Sequence, residues 1–278
     1  MSEAAAARYV MGHNDRERRR LLLQASVINP ITDQLFRRAG IGPGMKVLDI
    51  GSGMGDVALI SARLGAQVTA VDLDAAALAV ASERAHAEGL DIRCVTSDVY
   101  TLDLPHTFDA VTGRHILIHL PDPRALLRDA LRFLKPGGMM VFQEYDFDVI
   151  HPAWPPAPLR ERTSQIFRDF FAKAVKGNMG TQLFQVFTDA GLVSLDFRVE
   201  YPIAGPGSPY YEIFAEAVRS ILPRAAAMGI EAAADLDIDT LEQRLRDEAI
   251  ANGSFYPMPA MVGGYGSKVT VTSDPNRL

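Results

Sequence analysis

Short apolar runs alternate with longer helix-forming segments through the first half of the chain. The runs are too brief for helices, so each predicts a buried strand, and they lie at residues 47–50, 67–72, 91–96, 108–112 and 139–145. The segments between them are rich in helix formers, at residues 57–64, 75–88 and 125–134. Strands that alternate with helices predict an α/β fold.

The second half predicts more helix than strand. Residues 159–175 have a helical period that places Ile166, Phe167, Phe170 and Phe171 on one face. Further helices are predicted at 181–190, 209–228 and 239–251, and further strands at 192–201 and 261–271. Near the start of the chain, Pro30 separates a helix predicted at 16–27 from one at 31–39.

A glycine loop joins the first strand to its helix, with Gly51, Gly53 and Gly55 at alternate positions. Glycines let the backbone approach a ligand closely, and a helix start offers free N–H groups. The dinucleotide fingerprint requires its third glycine where this chain has Asp56, and the acid Asp49 would repel a diphosphate. The loop therefore favours a cationic or zwitterionic ligand over NAD(P), which stays open as the weaker alternative.

Later motifs extend this pattern along the chain. Asp109-Ala110-Val111 is followed by His119 to Pro123, reading His-Leu-Pro-Asp-Pro, and then by Leu-Lys-Pro-Gly-Gly at 134–138, in which residues 135–138 predict a turn. Over residues 40–145 the chain resembles class I S-adenosylmethionine (SAM) dependent methyltransferases, especially bacterial enzymes that act on small secondary metabolites. The resemblance implies a Rossmann-like, doubly wound, seven-stranded sheet whose last strand is antiparallel, with a helical lid. It also implies SAM as methyl donor and S-adenosylhomocysteine as product.

The same resemblance implies the order of domains. An N-terminal helical lid is expected at 1–39, the SAM-binding core at 40–204, a helical lid insertion at 205–253, and the last strand with the tail at 254–278. Tyr9, His13 and Gln24 are candidates for contact with SAM or acceptor, and packing or surface roles are the alternative.

Acids at the ends of successive strands are the main candidates for cofactor binding. Asp72 can accept hydrogen bonds from both ribose hydroxyls, although Asp74 is the better cap for the next helix. The resemblance implies that Asp98 and Val99 hold the adenine, with a turn aspartate as the alternative for Asp98. The full set of cofactor-binding candidates is Asp49, Gly51, Ser52, Gly53, Asp72, Leu73, Asp98, Val99, Arg114 and His115.

Methyl transfer from a sulfonium needs an in-line nucleophile in a site that excludes water, and a base only if the nucleophile must lose a proton. His115, Glu144, Tyr145 and Asp146 lie at or just after strand ends and are candidates for this base. No metal site is predicted, since no third ligand accompanies His115 and His119.

The composition and charge of the chain limit the classes of partner that we expect. The chain has 278 residues, a net charge of -6 and a pI near 5.5, which argues against nucleic acid as the main partner. One cysteine, Cys94, and no apolar segment that would cross a membrane suggest a cytoplasmic protein. The aromatic helices suggest a small, largely apolar acceptor, and a homo-oligomer is possible. The basic residues of 159–175, Arg160, Arg162, Arg168 and Lys173, are expected on a solvated face rather than around an anionic acceptor.

One alternative from another class of protein shares all these features. A regulator or cyclase with the SAM-binding fold would bind SAM without methylating anything.

Overall fold

The structure is a computed structural model that describes residues 15–205, 207–230 and 236–270. Its strands, in chain order, are β1 (Lys46–Ile50), β2 (Gln67–Asp72), β3 (Ile92–Thr96), β4 (Phe108–Arg114), β5 (Leu134–Asp146), β6 (Val193–Glu200), β7 (Ile203–Ala204), β8 (Tyr256–Pro257) and β9 (Ala260–Ser267). Its helices are α1 (Asp15–Arg38), α2 (Asp56–Arg63), α3 (Ala75–Ala87), α4 (Pro123–Ala130), α5 (Pro158–Ala174), α6 (Met179–Asp189), α7 (Tyr210–Ala227) and α8 (Leu241–Asn252).

Seven of the strands form one sheet in the order β3-β2-β1-β4-β5-β9-β6. The pairs β2–β3, β1–β2, β1–β4 and β4–β5 are parallel, and the last strand, β9, is antiparallel. The predicted Rossmann-like sheet is therefore confirmed. Chain order reverses between β1 and β4, which is the point where open α/β sheets bind ligands, beyond the carboxyl ends of the strands.

The described chain divides into two compact units. The sheet unit comprises the described residues of the ranges 32–143, 182–198 and 263–278, and the helical unit those of 1–31, 144–181 and 199–262. Residues 144–181 cluster with the helical unit, although the sequence places them in the core domain 40–204. The predicted domain limits themselves stay a prediction.

The core of the sheet unit is aliphatic. β1 and β2 bury Val47, Val68 and Ala70, and α2 buries its Leu59 and Ile60 against them. These strands read as continuous apolar runs because both faces of a parallel sheet are covered.

The core of the helical unit is aromatic. The Phe147 and Phe171 rings stack with centroids 3.9 Å apart, and Phe167 stacks on Phe214 at 4.9 Å. The aromatic face predicted for the helix at 159–175 therefore serves packing within this unit.

Two of the described helices have a proline in their interior. The sequence predicts a break at Pro30, but α1 runs through it without interruption, and α7 likewise contains Pro223. A proline in a helix interior removes one hydrogen bond and costs about 3 kcal/mol. In α1 the cost is offset by apolar burial on both sides of the proline, at Ile28, Leu35 and Phe36.

The turn predicted at 135–138 is part of strand β5. Phe108 pairs with Leu134 while Ala110 pairs with Met139, so the residues between them form an irregularity in the ladder. Pro136 and two glycines suit a bulge as well as a turn, which is why the sequence does not distinguish the two.

Candidate functional site

Asp49 lies at the switch point of the sheet. It occupies β1 directly opposite Thr112 of β4, whose Oγ1 donates a hydrogen bond to Asp49 Oδ1 at 2.9 Å. The carboxylate is 1% exposed, and Oδ2 has no hydrogen-bond partner in the described part of the protein. An acid oxygen left open in this position is a ready acceptor for a cationic N–H group.

Burial raises the pKa of Asp49 to about 7. The hydroxyl groups of Ser52 and Thr112 and the positive charge of Arg114 favour the ionised carboxylate and oppose this rise. The carboxyl group is thus poised to lose its proton near neutral pH. A cationic ligand beside it would favour the ionised form.

The three loop glycines have different surroundings. A Cβ on Gly51 would lie 2.6 Å from Ile116 Cδ1, and one on Gly55 would lie 2.7 Å from Ala81 Cβ. A Cβ on Gly53 would meet nothing within 4 Å, although all three residues have positive φ. Gly51 and Gly55 therefore let the loop pack against the protein, whereas the space beside Gly53 is open to a ligand.

Asp72, at the end of β2, holds the glycine loop in place. Its Oδ2 accepts a hydrogen bond from Gly53 N at 2.8 Å, and its Oδ1 accepts one from Asp74 N at 2.9 Å. The cap of α3 is Asp74, whose side chain accepts from Ala76 N and Ala77 N, as predicted. The loop contact of Asp72 was not predicted from sequence, and each of its oxygens still has a second lone pair for a hydroxyl group.

An ion pair also anchors the loop. Arg84 of α3 donates to Asp56 Oδ1 at 2.7 Å and to the Met54 carbonyl at 2.5 Å. Sequence analysis missed Arg84, because only the fold brings it 28 residues back along the chain to Asp56. Asp56 thus has a structural reason to stand where a dinucleotide motif has glycine.

The remaining adenine-side candidates lie around the next strand end. Asp98 Oδ1 accepts a hydrogen bond from Tyr100 N at 3.0 Å, and the preceding Ser97 N donates to the Asp72 carbonyl at 3.0 Å. Asp98 therefore stabilises a turn, which was the alternative to adenine binding. Its contact with adenine stays a prediction. Leu73 is 37% exposed beside Asp72, which suits contact with a flat apolar ligand.

Arg114 is the last residue of β4, and His115 follows it. Arg114 Nη1 donates to Thr32 Oγ1 at 2.8 Å, and its side chain is only 7% exposed. His115 has a φ of 55°, an uncommon conformation for a residue that is not glycine, and its N–H donates to the Gln143 carbonyl at 2.9 Å. Strain of this kind is often found at functional sites.

The other candidate bases belong to the helical unit. Glu144 is fully buried and Tyr145 is 8% exposed, with its ring 5.4 Å from that of Phe147. Asp146, the last residue of β5, accepts backbone hydrogen bonds at both oxygens, from Asp148, Val149 and Thr181, and so holds the turn that follows the strand. The roles of Glu144 and Tyr145 stay predictions.

Several weaker candidates have structural explanations or fall outside the description. Burial lowers the pKa of His119 to about 4, so this imidazole is neutral at pH 7. Gln24 accepts a hydrogen bond from Arg20, and Cys94 donates to the Leu78 carbonyl. Tyr9 and His13 lie outside the described residues.

The described residues contain neither a cluster of metal ligands nor a membrane-spanning helix. Across residues 15–205, 207–230 and 236–270, no three His, Cys, Asp or Glu side chains are grouped to hold a metal ion. In the same ranges no helix is long and apolar enough to cross a membrane.

Residues 48–142 match the family model described as "Methyltransferase domain". These residues include the switch point and most of the candidate cofactor contacts. This segment is a class I methyltransferase domain.

The matched relatives are consistent with this domain. The chain is 42% identical over 118 residues to ubiquinone biosynthesis O-methyltransferase of Chromobacterium violaceum, a match that covers 41% of this chain and 50% of the relative. The chain thus spans about half the length of the curated relatives it matches.

Solved structures share the fold of the methyltransferase domain. The YcgJ protein of Bacillus subtilis aligns with a TM-score of 0.58 at 19% identity, covering 86% of this chain and 97% of that one. The [4+2]-cyclase SpnF aligns at 0.54 and 21% identity, over 87% and 82%. Geranyl diphosphate C-methyltransferase of Streptomyces coelicolor, solved with S-adenosyl-L-homocysteine, aligns at 0.52 and 17%, over 86% and 76%. At these identities the likeness concerns the fold.

Proposed function

We propose that the chain transfers a methyl group from SAM to a small, largely apolar metabolite. The observation that carries the proposal is the buried Asp49 carboxylate at the switch point, with one oxygen open to a cationic group. SAM has an ammonium group that could bind there, and NAD(P) has a diphosphate that an acid would repel. The methyltransferase domain match and the O-methyltransferase relatives support the same reaction.

The fit of SAM to this site follows from the residues around it. Asp49 would bind the ammonium group, Arg114 and His115 the rest of the amino acid moiety, and the backbone at Gly51, Ser52 and Gly53 would line it. Asp72 would accept hydrogen bonds from the ribose, while Asp98, Val99 and Leu73 would hold the adenine.

When bound, SAM supplies a sulfonium-activated methyl group. The chain would position the acceptor, exclude water and, where the acceptor carries a proton, remove it. We propose His115, Glu144 and Tyr145 as the candidates for that base. Only half of the relative's length is matched, so we carry over its type of reaction and leave the acceptor undefined.

Turnover tests the proposal against a cyclase or regulator with the same fold. The purified protein should convert SAM to S-adenosylhomocysteine only when a terpenoid, indole or polyketide acceptor is present, and mass spectrometry should show one added methyl group. A protein that binds SAM but changes an acceptor without adding a methyl group would contradict methyl transfer.

Replacing Asp72 with alanine tests whether this residue belongs to the SAM site. We expect Asp72→Ala to weaken SAM binding by about tenfold or more, because one or two hydrogen bonds are lost. The matched control is Asp74→Ala, which removes the α3 cap and should cost about 1 kcal/mol of stability while SAM affinity is unchanged. Equal SAM affinity in folded Asp72→Ala and wild-type protein, measured by calorimetry, would remove Asp72 from the site.

A further inference from the structure

Short segments of the helical unit pair beside β8 and share one outward side. Ile203 of β7 lies opposite Pro257 in antiparallel register. Trp154 forms an isolated antiparallel bridge with Phe255, whose N–H donates to the Trp154 carbonyl at 3.1 Å. Opposed residues of an antiparallel pair have side chains on the same side, and so do residues two apart in a strand. Trp154, Ile203 and Phe255 therefore lie on one side, which we call the apolar face.

The side chains of the apolar face are exposed to solvent. Trp154 is 68% exposed, Ile203 is 61% exposed and Phe255 is 41% exposed. Ala204 and Tyr256, which alternate with them along the two strands, are buried, as the period of two requires. An apolar surface of roughly 350 Å² is thus in contact with water, and patches of this size are often functional.

Buried contacts support the apolar face from beneath. The Tyr256 hydroxyl donates to the Leu245 carbonyl at 3.0 Å, and Arg160 Nη2 donates to the Pro257 carbonyl at 2.6 Å. Arg160 is fully buried, so the expectation that it lies on a solvated face is wrong. Its acceptor is 97 residues further along the chain, and no local pattern in 159–175 reveals it. The backbone that carries the exposed side chains is therefore held in place by the rest of the unit.

The segments that form and flank the apolar face contribute no charge. Residues 151–157, 201–205 and 249–257 contain no Asp, Glu, Lys or Arg, although these residue types make up 22% of the chain. An uncharged surface of this kind gives no electrostatic attraction to an anionic or a cationic partner. It complements a partner that is itself uncharged where the two meet.

Other kinds of occupant fit the apolar face less well. A stable interface with a second copy of the chain buries about 800 Å² on each partner, more than twice the area available. An added strand needs backbone N–H donors, but Pro155 follows Trp154 directly and Pro202 precedes Ile203 directly. A small ligand needs a concave pocket, whereas these exposed side chains project outward.

We propose that the apolar face docks on the surface of a lipid bilayer, with Trp154, Ile203 and Phe255 in the interfacial layer of uncharged lipid. Indole and phenyl rings favour the boundary between headgroups and acyl chains, and the strength of such binding grows with the apolar area removed from water. Contact of this kind requires no spanning helix. It is independent of SAM binding and of methyl transfer.

Trp154 is the single tryptophan of the chain, so its fluorescence reports directly on docking. Phosphatidylcholine vesicles are added to the protein while the emission spectrum is recorded. We expect a shift to shorter wavelength, and quenching by lipids with brominated acyl chains, because an exposed indole moves from water into the interface. Anionic phosphatidylserine should not strengthen binding, because the apolar face has no cation to attract it.

Substitutions at exposed positions test which side chains enter the bilayer. Trp154→Ser and Ile203→Thr should each weaken co-sedimentation with phosphatidylcholine vesicles by about fivefold or more, because each removes apolar area. The matched control is Ile250→Thr in α8, where Ile250 is 56% exposed. Ile250 lies about 200° around the helix from Asn252, which donates to the Pro156 carbonyl. This variant should bind vesicles as the wild type does.

Three results would overturn docking on the bilayer. They are no binding of phosphatidylcholine vesicles by the wild-type protein, wild-type binding in both Trp154→Ser and Ile203→Thr, and an equal loss in Ile250→Thr. A requirement for phosphatidylserine would also contradict an uncharged contact. Sedimentation velocity without lipid tests the second copy, since self-association that Trp154→Ser and Ile203→Thr abolish would assign the apolar face to a dimer instead. None of these experiments contains SAM, so their failure leaves the methyltransferase proposal intact.

Discussion

Replacing Asp49 with asparagine should stabilise the ligand-free protein at pH 8 and, at the same time, weaken its binding of SAM. The pKa of Asp49 is about 7 in the folded protein, against an ordinary value of 3.8 for an aspartate in water. Because the folded protein binds this proton more tightly than the unfolded chain does, protonated Asp49 adds to the free energy of unfolding. That contribution is fully present below about pH 4 and is lost as the pH rises through about 7. The shift of about three units corresponds to about 4 kcal/mol at most.

The amide in Asp49→Asn does not ionise, so the free energy of unfolding of the variant does not fall with rising pH on account of this residue. Asparagine keeps the acceptor for Thr112 Oγ1 but introduces an N–H group that needs a partner, which costs about 1–3 kcal/mol. We therefore expect the variant to melt higher than the wild type at pH 8 and no higher at pH 4.5. Loss of a charge-assisted contact should raise the Kd for SAM by about tenfold or more.

Asp103→Asn is the control for this prediction, because it removes an exposed carboxylate of the same unit. It should change neither the pH dependence of melting nor the affinity for SAM. If Asp49→Asn lowers the melting temperature equally at both pH values, Asp49 is not the poised acid described above.

Alanine substitutions in the glycine loop should separate folding from ligand binding. Gly55→Ala combines a φ of 82° with a Cβ 2.7 Å from Ala81 Cβ and 3.2 Å from Ala81 Cα. Backbone strain of about 1–2 kcal/mol and overpacking of about 1–3 kcal/mol should together destabilise the protein by about 3 kcal/mol. Urea unfolding of the purified variant measures this loss.

Gly53→Ala is the matched partner, with a φ of 51° and no neighbouring atom within 4 Å. It should lose only the strain of about 1–2 kcal/mol and remain folded. Because the added methyl group projects into open space at the loop, we expect a loss of SAM affinity of at least tenfold. Wild-type affinity in Gly53→Ala would show that the ligand does not approach this glycine.

Much of the sheet could be predicted because each parallel strand is a continuous apolar run. β2 has the predicted bounds, Gln67–Asp72, and β1, β3 and α3 differ from prediction by one residue at an end. Proline positions were a less reliable guide to helix ends. Pro30 removes a hydrogen bond from α1, but tertiary packing offsets that cost and the helix continues. The bulge at 135–138 could not be predicted, because it is defined by the pairing of β4 with β5 and the local sequence is equally typical of a turn.

The candidate site was predictable where chemistry depends on spacing along the chain. Asp49, Gly53 and Asp72 could be named as candidates because strand ends and a glycine loop follow one another closely, and their roles toward SAM stay predictions. The Arg84–Asp56 pair and the buried Arg160 were not, since each depends on elements far apart in sequence. The three loop glycines look alike in sequence for the same reason. Their surroundings are set by residues distant in the chain, Ile116 beside Gly51 and Ala81 beside Gly55.

Calorimetric titration of the wild-type protein with SAM, S-adenosylhomocysteine and NADH tests the central claim most directly. The buried acid at the switch point and the open space at Gly53 predict a single site that binds SAM and S-adenosylhomocysteine in the micromolar range and does not bind NADH. Binding of NADH by folded protein that binds neither SAM nor S-adenosylhomocysteine would contradict the assignment.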